Sequence, residues 1–265
     1  YYRNWELLLM KLDPVLLNTA CRYANKAYDD NIVAAIKIES KLTSTTAYVI
    51  KRKTIDIIAF RGTQQVNDWM VNLLCVPVPY AGRLCHAGFV MAHKSVWGRI
   101  KKHIHPKKRT LICGHSLGGA LAELSAAKLH KKHPNLNLVT FGKPNTFFKG
   151  FKRPMQLDKQ ISCVCGSDMV ARIPRLCYGP SKSQTMLYFA NKGTDHINPS
   201  KSLRVDDRNL SDAVSDHFME GYTERLKGFL DNQSEKSKPK KQSDFIVSDE
   251  EAAEINKLMS EAENV

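Results

Sequence analysis

Five residues, Gly114-His115-Ser116-Leu117-Gly118, constrain this chain more than any other feature. The apolar run at 110–113 directly before them reads as a short buried strand, and the Ala/Leu-rich run at 119–129 directly after them reads as a helix. Alone, a G-x-S-x-G match is weak. Between a strand and a helix it describes a nucleophile elbow, a tight turn that lifts a serine above the edge of a sheet. Strand and helix pass close together at such a turn, so the flanking positions must be small, which accounts for Gly114, Gly118 and Gly119. The helix beyond Ser116 offers unpaired N–H groups and the positive end of its dipole. An idle serine in a glycine-rich turn is the competing reading.

The rest of the chain fits an α/β frame. Residues 13–27 read as a helix with Asp13 as N-cap and Pro14 at its first position. Strands are expected at 31–38, 46–52 and 55–60, then a turn and an amphipathic stretch to Leu74. Pro77 and Pro79 read as breakers. A helix is expected over 86–105, ended by Pro106, with further strands near 137–141, 160–165, 185–190 and 202–205 and a last helix over 216–230. Alternating strands and helices imply a largely parallel central sheet flanked by helices. The expected organisation is one α/β domain over 1–230 and a flexible polar and acidic tail over 231–265, in which 248–262 could form a short helix.

Composition narrows the function classes. No run of about eighteen apolar residues is present, so no membrane-spanning helix is expected. The seven cysteines cannot all pair with one another, and they lack disulfide-framework or CxxC spacing. They read as small buried hydrophobes. His86 and His93 stand seven apart without an acidic partner between them, so no zinc site or other cofactor is expected. The net charge is +14, unevenly spread: 231–265 carries −4 and 1–230 carries +18. Such a body is drawn to polyanions, either nucleic acid or an anionic lipid surface.

A serine attacks only when a base takes its proton. In this architecture the order along the chain is Ser, then Asp or Glu, then His. Four histidines follow Ser116. His130 and His133, at the far end of the elbow helix, read as surface residues. His217, after the last strand, is favoured over His196. Asp168 follows the expected strand at 160–165 and is the favoured acid, with Asp195, Asp206, Asp207 and Asp212 as alternatives.

Five segments then fall in a familiar order: Phe60-Arg61-Gly62-Thr63, Gly114-His115-Ser116-Leu117-Gly118-Gly119, Phe141-Gly142-Lys143-Pro144, Gly166-Ser167-Asp168-Met169-Val170 and Asp216-His217. Together they resemble the class 3 (fungal-type) lipase family of α/β-hydrolases over roughly residues 13–230. The resemblance implies Ser116 as nucleophile, Asp168 and His217 as its partners, and an oxyanion hole from Thr63 and the N–H of Leu117. One position departs from the family's pattern. Glu220 stands three residues past His217, where a tyrosine is common, and Tyr222 comes two later.

Val66, Trp69, Met70, Leu73 and Leu74 fall at i, i+3, i+4, i+7 and i+8, an apolar helical stripe. The pattern alone fits a core-facing helix. Its place just after Thr63 is where the family carries a lid that covers the site in water and turns outward at lipid. The expected function is a serine hydrolase of lipid carboxylic esters, acylglycerol lipase or phospholipase A in type. The expected partner is a lipid ester at a membrane or droplet surface, anionic in preference, with no nucleic acid. A soluble-ester hydrolase of feruloyl-esterase type and a catalytically silent binding scaffold are the alternatives. The odd cysteine count and the lack of a visible signal peptide favour an intracellular site with peripheral membrane association.

Overall fold

In the computed structural model, described residues are 12–29, 32–63, 76–149, 154–174, 177–179, 184–207 and 215–236. Twelve strands are placed among them: β1 (Ala35–Ser40), β2 (Thr45–Lys51), β3 (Ile55–Phe60), β4 (Pro77–Tyr80), β5 (Arg83–His86), β6 (Arg109–His115), β7 (Leu136–Phe141), β8 (Phe147–Phe148), β9 (Lys159–Cys165), β10 (Tyr178–Gly179), β11 (Thr185–Phe189) and β12 (His196–Ile197). The α-helices are α1 (Pro14–Lys26), α2 (Ala87–Ile100), α3 (Leu117–Leu129), α4 (Lys201–Asp206) and α5 (Met219–Lys236).

The main sheet has eight strands in the order β1-β2-β3-β6-β7-β9-β11-β12. Its centre, β3 to β11, is parallel, and the flanking pairs β1–β2, β2–β3 and β11–β12 are antiparallel. The central strands are buried on both faces, and their side chains divide by parity. Ile57 and Ala59 join Leu111, Cys113, Val139 and Phe141 on the face covered by α1 and α5. Ile58 and Phe60 join Ile112 and Leu138 on the face covered by α2 and α3. Cys163 and Cys165, two apart on β9, both lie on the α1/α5 face as apolar filling.

Local chemistry sets several boundaries. Asp13 Oδ1 accepts from the Leu16 N–H at 3.0 Å and caps α1, with Pro14 at its first position. Three expectations need correction. Pro77 and Pro79 do not break the chain but sit in β4, the edge of a small antiparallel sheet β10-β8-β5-β4, where a missing N–H removes no ladder bond. Residues 202–205 are helical rather than extended, because Ser200 Oγ accepts from the Leu203 N–H at 3.2 Å and starts α4. His130 and His133 are buried, and the Nε2 of His133 lies 3.1 Å from Thr110 Oγ1. Helix α5 also continues to Lys236, past the expected end at Leu230. Residues 248–262, Asp212 and the stripe over 64–75 lie outside the described residues.

Candidate active site

Ser116 sits between β6 and α3 with φ 55° and ψ −128°. A side chain there is strained, and the strain points the hydroxyl out of the turn. Glycine is required at the closest approaches: a Cβ on Gly114 would stand 2.5 Å from the Gly118 backbone, and one on Gly118 would stand 2.2 Å from the Phe60 carbonyl oxygen. The elbow is therefore wedged against the end of β3, and the sequence pattern follows from this contact.

Ser116 Oγ lies 2.9 Å from His217 Nε2. His217 Nδ1 lies 3.0 Å from both carboxylate oxygens of Asp168. An ionised carboxylate only accepts, so the ring proton resides on Nδ1 and Nε2 accepts from the serine hydroxyl. All three residues are buried, Asp168 and Ser116 completely. His217 lies in a 3-10 turn, Ser215–His217, just before α5. The structure thus brings together the three residues favoured from the sequence. His196 pairs with Tyr188 at the far edge of the sheet. Asp195 accepts from the Ala190 N–H in its own loop, and Asp207, at the end of α4, accepts from Tyr188 and the N–H groups of Asn191 and Lys192, so both tie down the segment after β11. Asp206 is exposed on α4.

The Asp168 carboxylate is held from several sides. Oδ1 accepts from the N–H groups of Val170 at 2.8 Å and Ala171 at 3.2 Å. Oδ2 accepts from the Tyr222 hydroxyl at 2.6 Å, and that oxygen in turn accepts from the Cys165 N–H at 3.0 Å. Tyr222, five residues past His217, therefore faces the acid although the family's spacing is not kept. Burial first, and then the Asp168 charge, hold the Tyr222 phenol well above its ordinary range, so it stays a donor. Asp216 joins the two loops: its Oδ2 accepts from the Ser167 N–H at 2.8 Å and its Oδ1 pairs with Arg225 at 2.8 Å.

A second set of contacts carries the histidine loop. His115 Nε2 donates to the His217 carbonyl at 2.7 Å, which leaves Nδ1 to accept from the Tyr28 hydroxyl at 2.6 Å. The two imidazoles lie 4.7 Å apart between centroids. Burial first, then the neighbouring His217, push the His115 pKa well below the ordinary histidine value. His115 is therefore neutral and does not compete with a cation on His217. Tyr28 was not singled out from the sequence, and His115 and Tyr222 were named there without a role. Their partners lie 87, 102 and 54 residues away, and no local pattern marks such pairs.

Thr63 follows β3. The pairing of Phe60 with Gly114 carries 61–63 alongside His115 and Ser116, and a Cβ on Gly62 would stand 2.8 Å from the His115 carbonyl oxygen. Leu117 opens α3, where an N–H has no partner within the helix. Among the described residues no group of three His, Cys, Asp or Glu is arranged to hold a metal.

The family model described as "Lipase (class 3)" matches residues 57–177. The chain is 33% identical over 168 residues to the secreted mono- and diacylglycerol lipase 1 of Fusarium solani, covering 57% of this chain and 49% of that protein. It is 33% identical over 127 residues to a lipase of Rhizomucor miehei, covering 41% and 35%. It thus spans about half, or less, of the length of the curated relatives it matches. The solved lipase from Rhizopus microsporus var. chinensis superposes with a TM-score of 0.61 at 21% identity, covering 76% of this chain and 84% of that one. At that identity the likeness establishes a shared fold.

Proposed function

We propose that the chain, which has the α/β-hydrolase fold and is matched over residues 57–177 by the class 3 lipase family model, is a member of that family and hydrolyses lipid carboxylic esters, acylglycerols first among them, through an acyl-serine intermediate. The observation that carries this reading is the line Ser116 Oγ, His217, Asp168, with hydrogen-bond distances of 2.9 and 3.0 Å.

The chemistry follows the geometry. His217 Nε2 takes the proton as Ser116 Oγ bonds to the ester carbonyl carbon. Asp168 keeps the imidazole in the useful tautomer and offsets its positive charge. Thr63 and the Leu117 N–H stabilise the oxyanion; removing one such donor typically costs about 10²–10³ in turnover. The alcohol leaves with the His217 proton. Water then gives a proton to His217 and attacks the acyl carbon, and the proton returns to Ser116 as the acid departs.

The acylglycerol preference is supported by the Fusarium solani relative's description as a mono- and diacylglycerol lipase. The charge of the 1–230 body, +18, supports an anionic surface. The stripe Val66, Trp69, Met70, Leu73 and Leu74 is proposed as the lid on its sequence pattern alone. Hydrolysis of diacylglycerol in vesicles with and without anionic phospholipid, beside a soluble short-chain ester, tests all three points. We expect faster turnover on the anionic vesicles, with the advantage shrinking as salt shortens the screening length from about 30 Å at 0.01 M to about 8 Å at 0.15 M. Trp69→Ser should lower the vesicle rate more than the soluble-ester rate. Turnover of the soluble ester alone would favour the feruloyl-esterase-type reading, and equal losses in Trp69→Ser would remove the lid.

A further inference from the structure

On the α2/α3 face of the sheet, beyond the reach of α3, β9 and β11 leave a recess of about 200 Å³ with α4 along its side. Ser162 and Val164 line it from β9, opposite in parity to the buried Cys163 and Cys165. Four cationic side chains converge on it: Lys143, Arg172, Lys201 and Arg204. No acidic residue is among those that line it.

The four cations are unevenly compensated. Lys143 is offset by Glu123, 3.0 Å away and equally buried, in an ion pair rather than a well-aligned hydrogen bond. Arg172 makes no ion pair among the described residues: it donates to the carbonyls of Asp168 at 3.2 Å, Arg204 at 3.1 Å, and Gly166, and lies beside the Tyr188 hydroxyl. Arg204 reaches the Ser200 carbonyl at 3.4 Å and the Met186 sulfur at 3.9 Å. Burial, and then the charge of Arg172, pull the Arg204 pKa below its ordinary value. Lys201 is exposed, with no ion-pair partner among the described residues. The amide oxygen of Gln184 is buried without a partner, and turned about, that amide offers its NH₂ to the recess. Three cations therefore share a half-enclosed space whose lining carries no acidic side chain. Guanidinium groups in such a setting select planar or tetrahedral oxyanions.

We propose that this recess is a binding site for a phosphate oxyanion, held by Arg204 and Lys201 from α4 and by Arg172 from the Asp168 loop, and separate from the Ser116 centre. The size suits one phosphate group with a small substituent. The source is either the phosphate of a lipid headgroup or free phosphate, and the chemistry at the site is the same for both. The site does not depend on the hydrolase reading, because its residues lie outside the serine, histidine and oxyanion contacts. It touches that centre at one point. Arg172 grips the backbone of Gly166 and Asp168, so an anion drawing on Arg172 would stiffen the loop that presents the carboxylate.

The test measures inorganic phosphate binding to the full chain by titration calorimetry and by thermal shift at fixed ionic strength, with chloride as the reference salt. Phosphate should raise the melting temperature where chloride does not, since a ligand that binds only the folded state stabilises it. Lys201→Gln/Arg204→Gln should weaken phosphate binding by about tenfold or more, the loss expected for one or two charge-assisted contacts. Lys101→Gln/Lys102→Gln, an exposed basic pair elsewhere, should leave it unchanged. Lys201→Gln alone changes an exposed side chain and carries the same test if the double variant does not fold. A second arm uses phosphatidylcholine vesicles with and without phosphatidic acid. If these vesicles displace inorganic phosphate in a Lys201/Arg204-dependent way, the source is the headgroup. If only inorganic phosphate binds, the source is soluble; either result supports the site. No phosphate-specific stabilisation, or equal losses in the two double variants, would overturn it and leave ordinary surface charge.

Discussion

Ser116→Ala is expected to remove ester hydrolysis, a fall on the order of 10⁶-fold in turnover, while the melting temperature moves by no more than about 2 °C. The two effects separate because the hydroxyl makes one side-chain contact, to His217 Nε2, and supports no other part of the fold. Alanine meets the same backbone strain at φ 55° as serine does, so the turn itself is not relieved. His217→Ala should cost about as much as Ser116→Ala, because nucleophile and base act as a unit and their losses do not add. His196→Ala should keep near-wild-type turnover, since that residue pairs with Tyr188 at the sheet edge. Steady-state kinetics on a soluble ester with all three variants reads the contrast without interfacial complications. Inactive His196→Ala beside active His217→Ala would overturn the histidine assignment.

Acid should destabilise this protein from about pH 6.5 downward, before its carboxylates titrate. Three buried histidines are held neutral. Burial pulls His86 down to about 4. Burial, with Lys128 adding to it, pulls His93 down to about 3. His115 lies well below its ordinary value for the reasons given above. His93 is locked between the Tyr80 hydroxyl and Ser125 Oγ, each at 2.8 Å. Neither ring nitrogen of His86 has a hydrogen-bond partner among the described residues. These are bases with depressed folded pKa values, so the unfolded chain takes up protons first. Their stabilisation is complete above about pH 6.5 and is lost as pH falls toward their folded values. At full slope each costs about 1.4 kcal/mol per pH unit, so His86 and His93 together remove about 4–5 kcal/mol between pH 6.5 and 4.5, and His115 acts in the same direction. That compares with a total stability of about 5–15 kcal/mol for a typical domain. Burial also lowers His130 and His133, which act in the same direction. Urea titrations at pH 7, 6 and 5 should show falling stability, and calorimetry at pH 5 should show uptake of about two or more protons on unfolding. Equal stability at pH 7 and 5 would mean that these histidines are solvated or charged in the fold.

The parts legible in the sequence were those whose cause is local. The elbow was legible because the close approach of Gly114 to Gly118 forces small residues at fixed spacing. The central strands were legible because burial on both faces requires unbroken apolar runs such as Ile57-Ile58-Ala59-Phe60. What escaped depends on distant partners. Pro77 and Pro79 read as breakers because nothing local says that their strand lies at an edge. Ser-Leu-Arg-Val at 202–205 alternates like a strand, and only the cap at Ser200 decides for a helix. His133 reads as polar and exposed until the chain places it beside Thr110. The Tyr28–His115 and Tyr222–Asp168 contacts exist only once the sheet is assembled. The candidate nucleophile was thus readable from five residues, whereas the groups that hold its partners were not.

The central claim, that Ser116 is a hydroxyl activated by His217, is tested most directly by labelling the full chain with a fluorophosphonate at neutral pH and reading the adduct by intact mass and peptide sequencing. The predicted result is one covalent adduct, on Ser116, absent in Ser116→Ala and formed far more slowly in His217→Ala. An unlabelled protein, an adduct on another residue, or labelling of His217→Ala at the wild-type rate would contradict it.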